Sequence, residues 1–521
     1  MEEVYNDAFN ITDLFFNTAK KYPNKTAVIF KNKNISFSEL EVQIENTAQY
    51  FLNKGIGKND RVLVFVPMSI DLYRIVLALF KIGAIAVFLD EWVNKNRMEE
   101  CCKIAICKAI ISTLKARIFI FFSKELKKIP IRLGVGFNEK DPRKNLHETY
   151  YDDIALITFT TGSTGIPKAS IRTHRLLYNQ FIALEEKLEY RDDDISMTVL
   201  PIVLLINLAV GTTSVIADFK SSKPDSLLPE KIIRQLKKYS VNTIIGSPFF
   251  IKKLSEYIIQ EKKFLPQIKK IFTGGAPVFP SEAKIYNKAF PETKIEIIYG
   301  STEAEPISSI SANDLVNLKN DILNGLNVGK VSAYAEVKII KIDDKNIFIN
   351  SEKDLTEIVL PHNTIGEIIV KGKHVLRDYL NNEEAFKRNK ILVGNEFWHR
   401  TGDSGYITES GNLFLMGRCN SLIVKNQKIF YPFVYENYFQ LNEYIEIGTV
   451  IKITNKVSAV VQLRDKSKES LVKDLIKEVE PLIEQIIFIK KIPRDPRHNS
   501  KIDYQKLSNL LEKEVFIPLN T

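Results

Sequence analysis

The run Ile154-Ala155-Leu156-Ile157-Thr158-Phe159 passes directly into Thr160-Thr161-Gly162-Ser163-Thr164-Gly165-Ile166-Pro167-Lys168. An apolar, β-branched stretch that ends in glycines and hydroxyls reads as a buried strand delivering the chain into a loop. Glycine lets backbone approach an anion closely, and hydroxyls and N–H groups donate to phosphate oxygens. The loop is not a Walker A sequence, because Gly162 and Gly165 are too close together and Pro167 precedes the lysine. Alone, the pattern also suits an ordinary surface turn, so its meaning depends on partners elsewhere in the chain.

Helical and strand patterns alternate around it, the signature of an α/β architecture with largely parallel pairing. A helix is expected over residues 9 to 22 and a strand at Thr26–Phe30. A long amphipathic helix should follow to Asn53 with Ser38 as its N-cap. Strands are expected at Arg61–Val66, Ile85–Asp90, Ala109–Ser112 and Ile118–Phe122, with a helix from Ser69 to Lys81. Further on come helices at 229–239 and Phe249–Glu261, and strands at Asn242–Gly246, Lys269–Thr273 and Lys294–Tyr299. Beyond Val328 short strands dominate (Val337–Lys341, Ile347–Ile349, Gly366–Val370), which suggests a β-rich subdomain. After Gly417 the pattern resets, with strands near 448–453 and 457–463 and helices at 467–480 and 503–514.

A chain of 521 residues exceeds one hydrophobic core and implies several domains. The net charge of +10 comes from 73 basic and 63 acidic residues that are interspersed rather than gathered into basic blocks. That argues against nucleic acid as a partner and is compatible with an anionic substrate. Cys101, Cys102, Cys107 and Cys419 show no zinc-site spacing, and so few thiols fit a reducing, cytoplasmic setting. No signal-peptide pattern is visible at the acidic start. The apolar run Met197 to Ile216 approaches membrane-spanning length. Pro201, Asn207, Gly211 and several hydroxyls interrupt it, so a buried strand–helix unit is expected and no integral membrane segment.

Four further motifs follow in order. Gly300-Ser301-Thr302-Glu303 follows a strand and offers a carboxylate for Mg²⁺ beside phosphates. Thr401-Gly402-Asp403 offers an acceptor for two ribose hydroxyls. Gly417-Arg418 comes next, and Lys501 lies near the end within Arg497-His498-Asn499-Ser500-Lys501. Each alone has a bland reading, as a capped turn or a surface charge; the ordered set does not.

That set resembles the adenylate-forming superfamily of acyl-CoA synthetases, peptide-synthetase adenylation domains and luciferases, over nearly the whole chain. The resemblance implies a large N-terminal domain of several subdomains with mainly parallel sheets, residues 1–416. A small mobile α+β domain, residues 417–521, would follow, with the site between them. The reaction implied is carboxylate plus ATP giving acyl-adenylate plus pyrophosphate. Thr161, Ser163, Thr164 and Lys168 would hold phosphates, Gly274, Gly275 and Ala276 would flank the adenine with Tyr299 nearby, and Thr302 would contact phosphate. Glu303 would hold Mg²⁺, Asp403 the ribose and Arg418 the nucleotide, while Lys501 would reach both the carboxylate and the α-phosphate.

The chain departs from the family pattern at Asn420, Gln427 and Ile429, where a charged hinge residue, a glycine and an arginine are usual. The glycine lines the pantetheine tunnel in thioester-forming members, so its replacement counts against CoA transfer but not against adenylation. Leu204 stands where the family has a histidine and implies an apolar site wall, suited to a fatty acid. Trp398-His399-Arg400 and the segments around Glu303 and Lys501 look like the β-lactone synthetases of bacterial olefin biosynthesis, which close a 3-hydroxy acid on itself. Candidate acceptors are therefore the substrate's own hydroxyl, a CoA or acyl-carrier-protein thiol, or an amine. A catalytically silent nucleotide-binding regulatory protein is the alternative from another class.

Overall fold

The computed structural model describes residues 8–89, 95–137, 143–161, 167–219, 224–317, 324–349, 351–494 and 502–515. Two sheets carry the first four fifths of the chain. The smaller has six strands, in the order 131–133, 109–112, 61–65, 85–88, 154–161 and 167–173, parallel except for the last pair. Strand Ile154–Thr161, expected from its apolar run, pairs antiparallel with Pro167–Thr173, in register Thr160↔Lys168 and Thr161↔Pro167.

The larger sheet has 14 strands. Strands 294–301, 270–274, 243–246, 195–198, 213–216 and 26–30 lie parallel in that order. On the other side of strand 294–301 every pairing is antiparallel, through 304–311, 326–331, 412–418, 396–407, 366–371 and 336–340. The β-rich stretch expected after Val328 thus exists as a continuation of this sheet, not as a separate layer. Helices cover the parallel strands, whose residues are buried on both faces, as parallel sheets require.

Local chemistry accounts for most element ends. Helix Phe37–Asn53 starts from a capping box in which Ser36 accepts from the Glu39 N–H and Glu39 reaches back to the Ser36 N–H. The cap is therefore Ser36, not Ser38: each has a glutamate three residues on, but Ser36 is extended at φ −77°, ψ 167° whereas Ser38 already lies inside the helix. Ser69, Thr173 and Ser247 cap the helices that follow them. Leu114–Phe122 is a helix, where Ile118–Phe122 was expected as a strand: Thr113 supplies an N-cap to the Ala116 N–H and starts the turn four residues before the aromatic run. Ile347–Ile349 forms no strand. The apolar run 197–216 resolves into strand Ile195–Thr198, helix Pro201–Val210 and strand Thr213–Ile216. Among the described residues no helix is long and apolar enough to cross a membrane.

From Ile423 onward the chain builds its own cores. Strands 445–453, 456–463 and 485–488 form a three-stranded sheet, with helices Glu469–Val479 and Tyr504–Val515 against it. Helix Pro432–Gln440 meets the large sheet at strand Asn412–Arg418, and its Phe433 packs on Phe279, the N-cap of helix Pro280–Ala289, ring centroids 5.2 Å apart. Gly417 permits that approach, since a Cβ there would stand 2.8 Å from the Phe433 Cβ.

Hairpin Ile423–Lys425/Lys428–Phe430 turns through Asn426 at φ 49° and Gln427 at φ 65°. A two-residue hairpin loop needs two left-handed residues, which Asn tolerates and Gly prefers. The glycine usual at position 427 therefore has a conformational reason, and Gln427, whose side chain is exposed, adopts the strained conformation without it. Replacing Gln427 by Gly is expected to raise stability by about 0.5–1 kcal/mol, read as a higher urea midpoint with unchanged slope.

His174 opens helix His174–Leu188, is buried, and accepts the Ile11 N–H on Nδ1 at 3.1 Å, tying the first helix to the strand after the glycine loop. Burial pushes its pKa down to about 4. An unfolded imidazole titrates near 6.5, so protonation favours the unfolded chain. The stabilising share is complete above about pH 6.5 and fades as pH falls toward 4, about 3 kcal/mol over the window. Chemical denaturation at pH 7 and pH 5 should show wild type losing more stability than His174→Asn between the two; equal losses would remove His174 as the cause.

Candidate active site

The C-terminal ends of the parallel strands, beside the change from parallel to antiparallel pairing, are where open α/β sheets hold ligands. Gly274 ends its strand opposite Ile298, and a Cβ there would stand 2.7 Å from the Ile298 carbonyl oxygen, so only glycine fits. Gly275 follows at φ 84° and turns the chain outward, leaving it exposed and Ala276 half-buried. Just before them the hydroxyl of Thr273 is buried with no hydrogen-bond partner in the described structure, a donor and acceptor facing the same neighbourhood.

Tyr299, near the end of the next strand, donates its hydroxyl to Asp403 Oδ2 at 2.8 Å. Burial first, then the Asp403 charge, pushes that phenol well above its ordinary pKa, so it stays a donor. Asp403 and Arg418 are register partners on adjacent antiparallel strands, and their ion pair measures 3.1 Å. Asp403 also donates its backbone N–H to Thr401 Oγ1 at 3.0 Å, and Arg418 donates to the Thr401 carbonyl at 3.2 Å. The carboxylate is thereby oriented from two sides.

Thr302 and Glu303 form the turn between strands Lys294–Ser301 and Ala304–Ser311. The Glu303 carbonyl accepts the Leu376 N–H at 2.7 Å, and its Oε1 accepts the Tyr379 hydroxyl at 3.4 Å. Lys168 donates to Asn389 Oδ1 at 3.3 Å and stands 5.7 Å from the centre of the Tyr379 ring. Burial lowers its pKa, with Glu303 opposing. Lys390 is fully buried behind these groups, donates to the Leu376 carbonyl, and is brought down by burial to about 7. His399 is buried on the neighbouring strand with Nδ1 3.1 Å from the Asn389 carbonyl, and burial plus Lys390 hold it neutral. Trp398 packs into the core, with Lys338 and Lys371 over its ring at 4.6 and 5.2 Å.

One cavity of about 950 Å³ reaches part of this group, while Tyr299, Asp403, Tyr379 and Lys390 stand outside its lining. Lys168, Gly274, Gly275, Thr302, Glu303 and Arg418 line it on the polar side. Its apolar walls come from helices 70–81, 174–188, 201–210 and 248–260, with Leu72, Val76, Phe80, Leu184, Val203 and Phe250 among the contributors. Leu204 is not in this wall. Helical periodicity turns it into the core beside Leu208, and Val203, Leu205 and Ile206 face the cavity instead.

Of the expected residues, the structure brings together Lys168, Gly274, Gly275, Ala276, Tyr299, Thr302, Glu303, Asp403 and Arg418. Thr161 closes its strand at the edge of the glycine loop. Ser163, Thr164 and Lys501 lie outside the described residues. Among the described residues no cluster of three metal-ligating side chains exists. The Glu303 carboxylate still suits Mg²⁺, which takes one or two carboxylates and completes its shell with water and phosphate oxygens. Sequence reading missed Arg172, Tyr379 and Lys390. Arg172 had a signal: it stands at even spacing from Lys168 along one strand and so shares its face. Tyr379 had none, since it arrives through an isolated bridge to Ser170.

The AMP-binding enzyme family model matches residues 15–380. The olefin beta-lactone synthetase of Xanthomonas campestris is 26% identical, the match covering 91% of this chain and 90% of that protein. The 2-succinylbenzoate–CoA ligase of Listeria monocytogenes is 24% identical over 93% and 96%. Among solved structures, O-succinylbenzoate coenzyme A synthetase from Bacillus subtilis in complex with AMP superposes with a TM-score of 0.78 at 19% identity, over 96% of this chain and 98% of that one. An amide bond synthetase from Marinactinospora thermotolerans gives 0.80 at 18%, over 96% and 99%. With the parallel-strand ends, the glycine turn and the Tyr299–Asp403–Arg418 cluster in place, the chain belongs to the AMP-binding enzyme family and is an AMP-forming ligase or synthetase that activates an acid as its adenylate.

Proposed function

We propose that the acid is a fatty or similarly apolar carboxylic acid, with ATP held on the polar side of the cavity and the acyl chain along its apolar walls. The observation that carries this reading is the division of one continuous cavity of about 950 Å³ between charged strand ends and aliphatic helix faces. Apolar walls recognise a chain by burial, at roughly 0.8 kcal/mol per CH₂, while the polar groups fix the reacting end.

In this reading Gly274, Gly275 and Ala276 receive the adenine, and Asp403, already oriented by Tyr299 and Arg418, accepts the two ribose hydroxyls. Thr161, Ser163, Thr164, Lys168 and Thr302 hold the triphosphate. Glu303 would hold Mg²⁺, which supplies charge neutralisation on the phosphates. A substrate carboxylate oxygen forms the new bond to the α-phosphorus as the bond to pyrophosphate breaks. Both reactants are anionic, so catalysis rests on neutralising charge and aligning the approach. Lys501 is assigned that task at the reacting atoms; no protein nucleophile is needed.

The adenylate then passes to an acceptor. Closure by the substrate's own 3-hydroxyl is favoured by the likeness to the olefin beta-lactone synthetase, over nine tenths of both chains. Transfer to a CoA or carrier-protein thiol is the competing outcome, and Gln427 and Ile429 count against CoA.

Exchange of labelled pyrophosphate into ATP, with a panel of plain and 3-hydroxy fatty acids, tests the first step; no exchange with any acid by folded protein in Mg²⁺ would overturn it. Lys501→Ala should cut exchange by about a hundredfold or more while ATP binding, followed by calorimetry, survives. Glu303→Gln should raise the Mg²⁺ concentration for half-maximal exchange by about tenfold; a wild-type metal response would remove Glu303 from the metal site.

A further inference from the structure

Helix Leu114–Phe122 has two apolar faces, and only one of them faces the core. Ala116 and Ile120 turn inward and are buried, Ile120 in a core with Leu63, Ile110 and Leu126. Leu114, Ile118 and Phe122 follow at every fourth position and so share about a quarter of the circumference on the opposite side. They are 78%, 63% and 66% exposed. A surface helix buries one apolar stripe and shows water a polar face; here the outward face is itself apolar. Lys115 and Arg117, both exposed, flank it on its two sides. The chain then turns at Ser123, whose hydroxyl donates to Glu99 Oε1 at 3.2 Å while the Lys124 N–H donates to the same oxygen at 3.1 Å. That ties the corner to helix Lys95–Ala105. Lys124, Lys127 and Lys128 on the next short helix, and Arg132 beyond it, are exposed as well. Between 114 and 132 the chain carries six basic residues and one acidic, Glu125, which pairs with Lys128 at 2.8 Å. This short segment holds half of the net charge of +10.

We propose that this face is a membrane-docking surface and that its partner is an anionic phospholipid bilayer. The helix lies in the plane of the interface, with Leu114, Ile118 and Phe122 among the acyl chains. The flanking lysines and arginines bury their stems and keep their charge in the headgroup layer. Among the described residues no helix is long and apolar enough to span a bilayer, so the contact is peripheral. A second copy of the chain fits this face less well, because it would set one basic border against another. Strand Ala109–Ser112, which feeds the helix, ends level with strand Arg61–Phe65, Ser112 opposite Phe65. Val66 and Met68, just past that end, line the cavity. The helix therefore leaves the sheet at the edge where the apolar pocket lies. None of residues 114–132 lines the cavity itself, so the surface is separate from the site and the inference does not depend on which acid is activated.

The test is cosedimentation of the full chain with vesicles, in the absence of acid and nucleotide. One set of vesicles is phosphatidylcholine alone and the other contains about 30% phosphatidylserine. Wild type should partition about tenfold or more in favour of the anionic vesicles at low salt and lose that preference as salt rises. Ile118→Asp should weaken binding to the anionic vesicles by about tenfold or more. The combined replacement Lys124→Gln, Lys127→Gln and Lys128→Gln should do the same, by about tenfold. All four side chains are exposed, so thermal melting should match wild type in both variants and reports folding. Absence of wild-type sedimentation with either vesicle would overturn the inference and leave the face to a protein partner. Full binding by either variant would also overturn it, because the apolar face or its basic border would then play no part. A wild-type dimer in sedimentation velocity that Ile118→Asp dissociates would overturn it in favour of a second copy. Pyrophosphate exchange is read separately, so failure of the vesicle test leaves the proposed function standing.

Discussion

The site depends on one strand having unlike neighbours. Lys294–Ser301 is parallel to Lys270–Gly274 on one side and antiparallel to Ala304–Ser311 on the other. The parallel side ends in a crevice, because a parallel strand must leave the sheet at its C-terminal end. The antiparallel side folds back at once and hangs Thr302 and Glu303 over that crevice. Strand Glu396–Ile407 then enters from the antiparallel half and sets Asp403 within 2.8 Å of the Tyr299 hydroxyl. Tyr299 and Asp403, 104 residues apart in the chain, meet because the sheet changes direction there.

Around that crevice the electrostatics are arranged in pairs. Asp403 is held between a phenol that burial keeps protonated and the Arg418 guanidinium. Glu303 receives the Tyr379 hydroxyl, while Lys168 and Lys390 stand 5.7 and 5.8 Å from the centre of the Tyr379 ring. Lys168, Arg172, Arg388, Arg400 and Arg418 line the cavity together with Glu303, Glu305, Asp343, Asp344 and Glu367, so cationic and anionic groups are interleaved on its polar side. Arg172 is held between the Thr158 hydroxyl and the Thr302 carbonyl.

Much of this was legible in the sequence, and the limits have physical reasons. Apolar β-branched runs and their trailing glycines marked the strand ends, and with them the positions of Lys168 and Glu303, whereas Gly274 and Tyr299 became site candidates only through the family resemblance. Ile118–Phe122 was misread because an aromatic run fits strand and helix alike, and the cap at Thr113 decided the matter. Ser38 was misplaced as a cap because both serines have cap chemistry and a glutamate three residues on, and the backbone turns helical at Phe37, before Ser38. Leu204 matched a family position by alignment, yet helix phase turns it away from the cavity.

The order of the motifs, the alternation of helices and strands and the family membership they imply are properties of the sequence by itself, because each rests on residues close together along the chain. Tertiary structure alone decided which side chains meet around the cavity. Tyr379 reaches Glu303 through a bridge to Ser170, Lys390 is buried behind Lys168, and Arg172 is pinned to the Thr302 carbonyl. Those contacts join segments 76 to more than two hundred residues apart, and no local propensity encodes them. They follow from the strand order and register of the sheets, which the whole chain sets together.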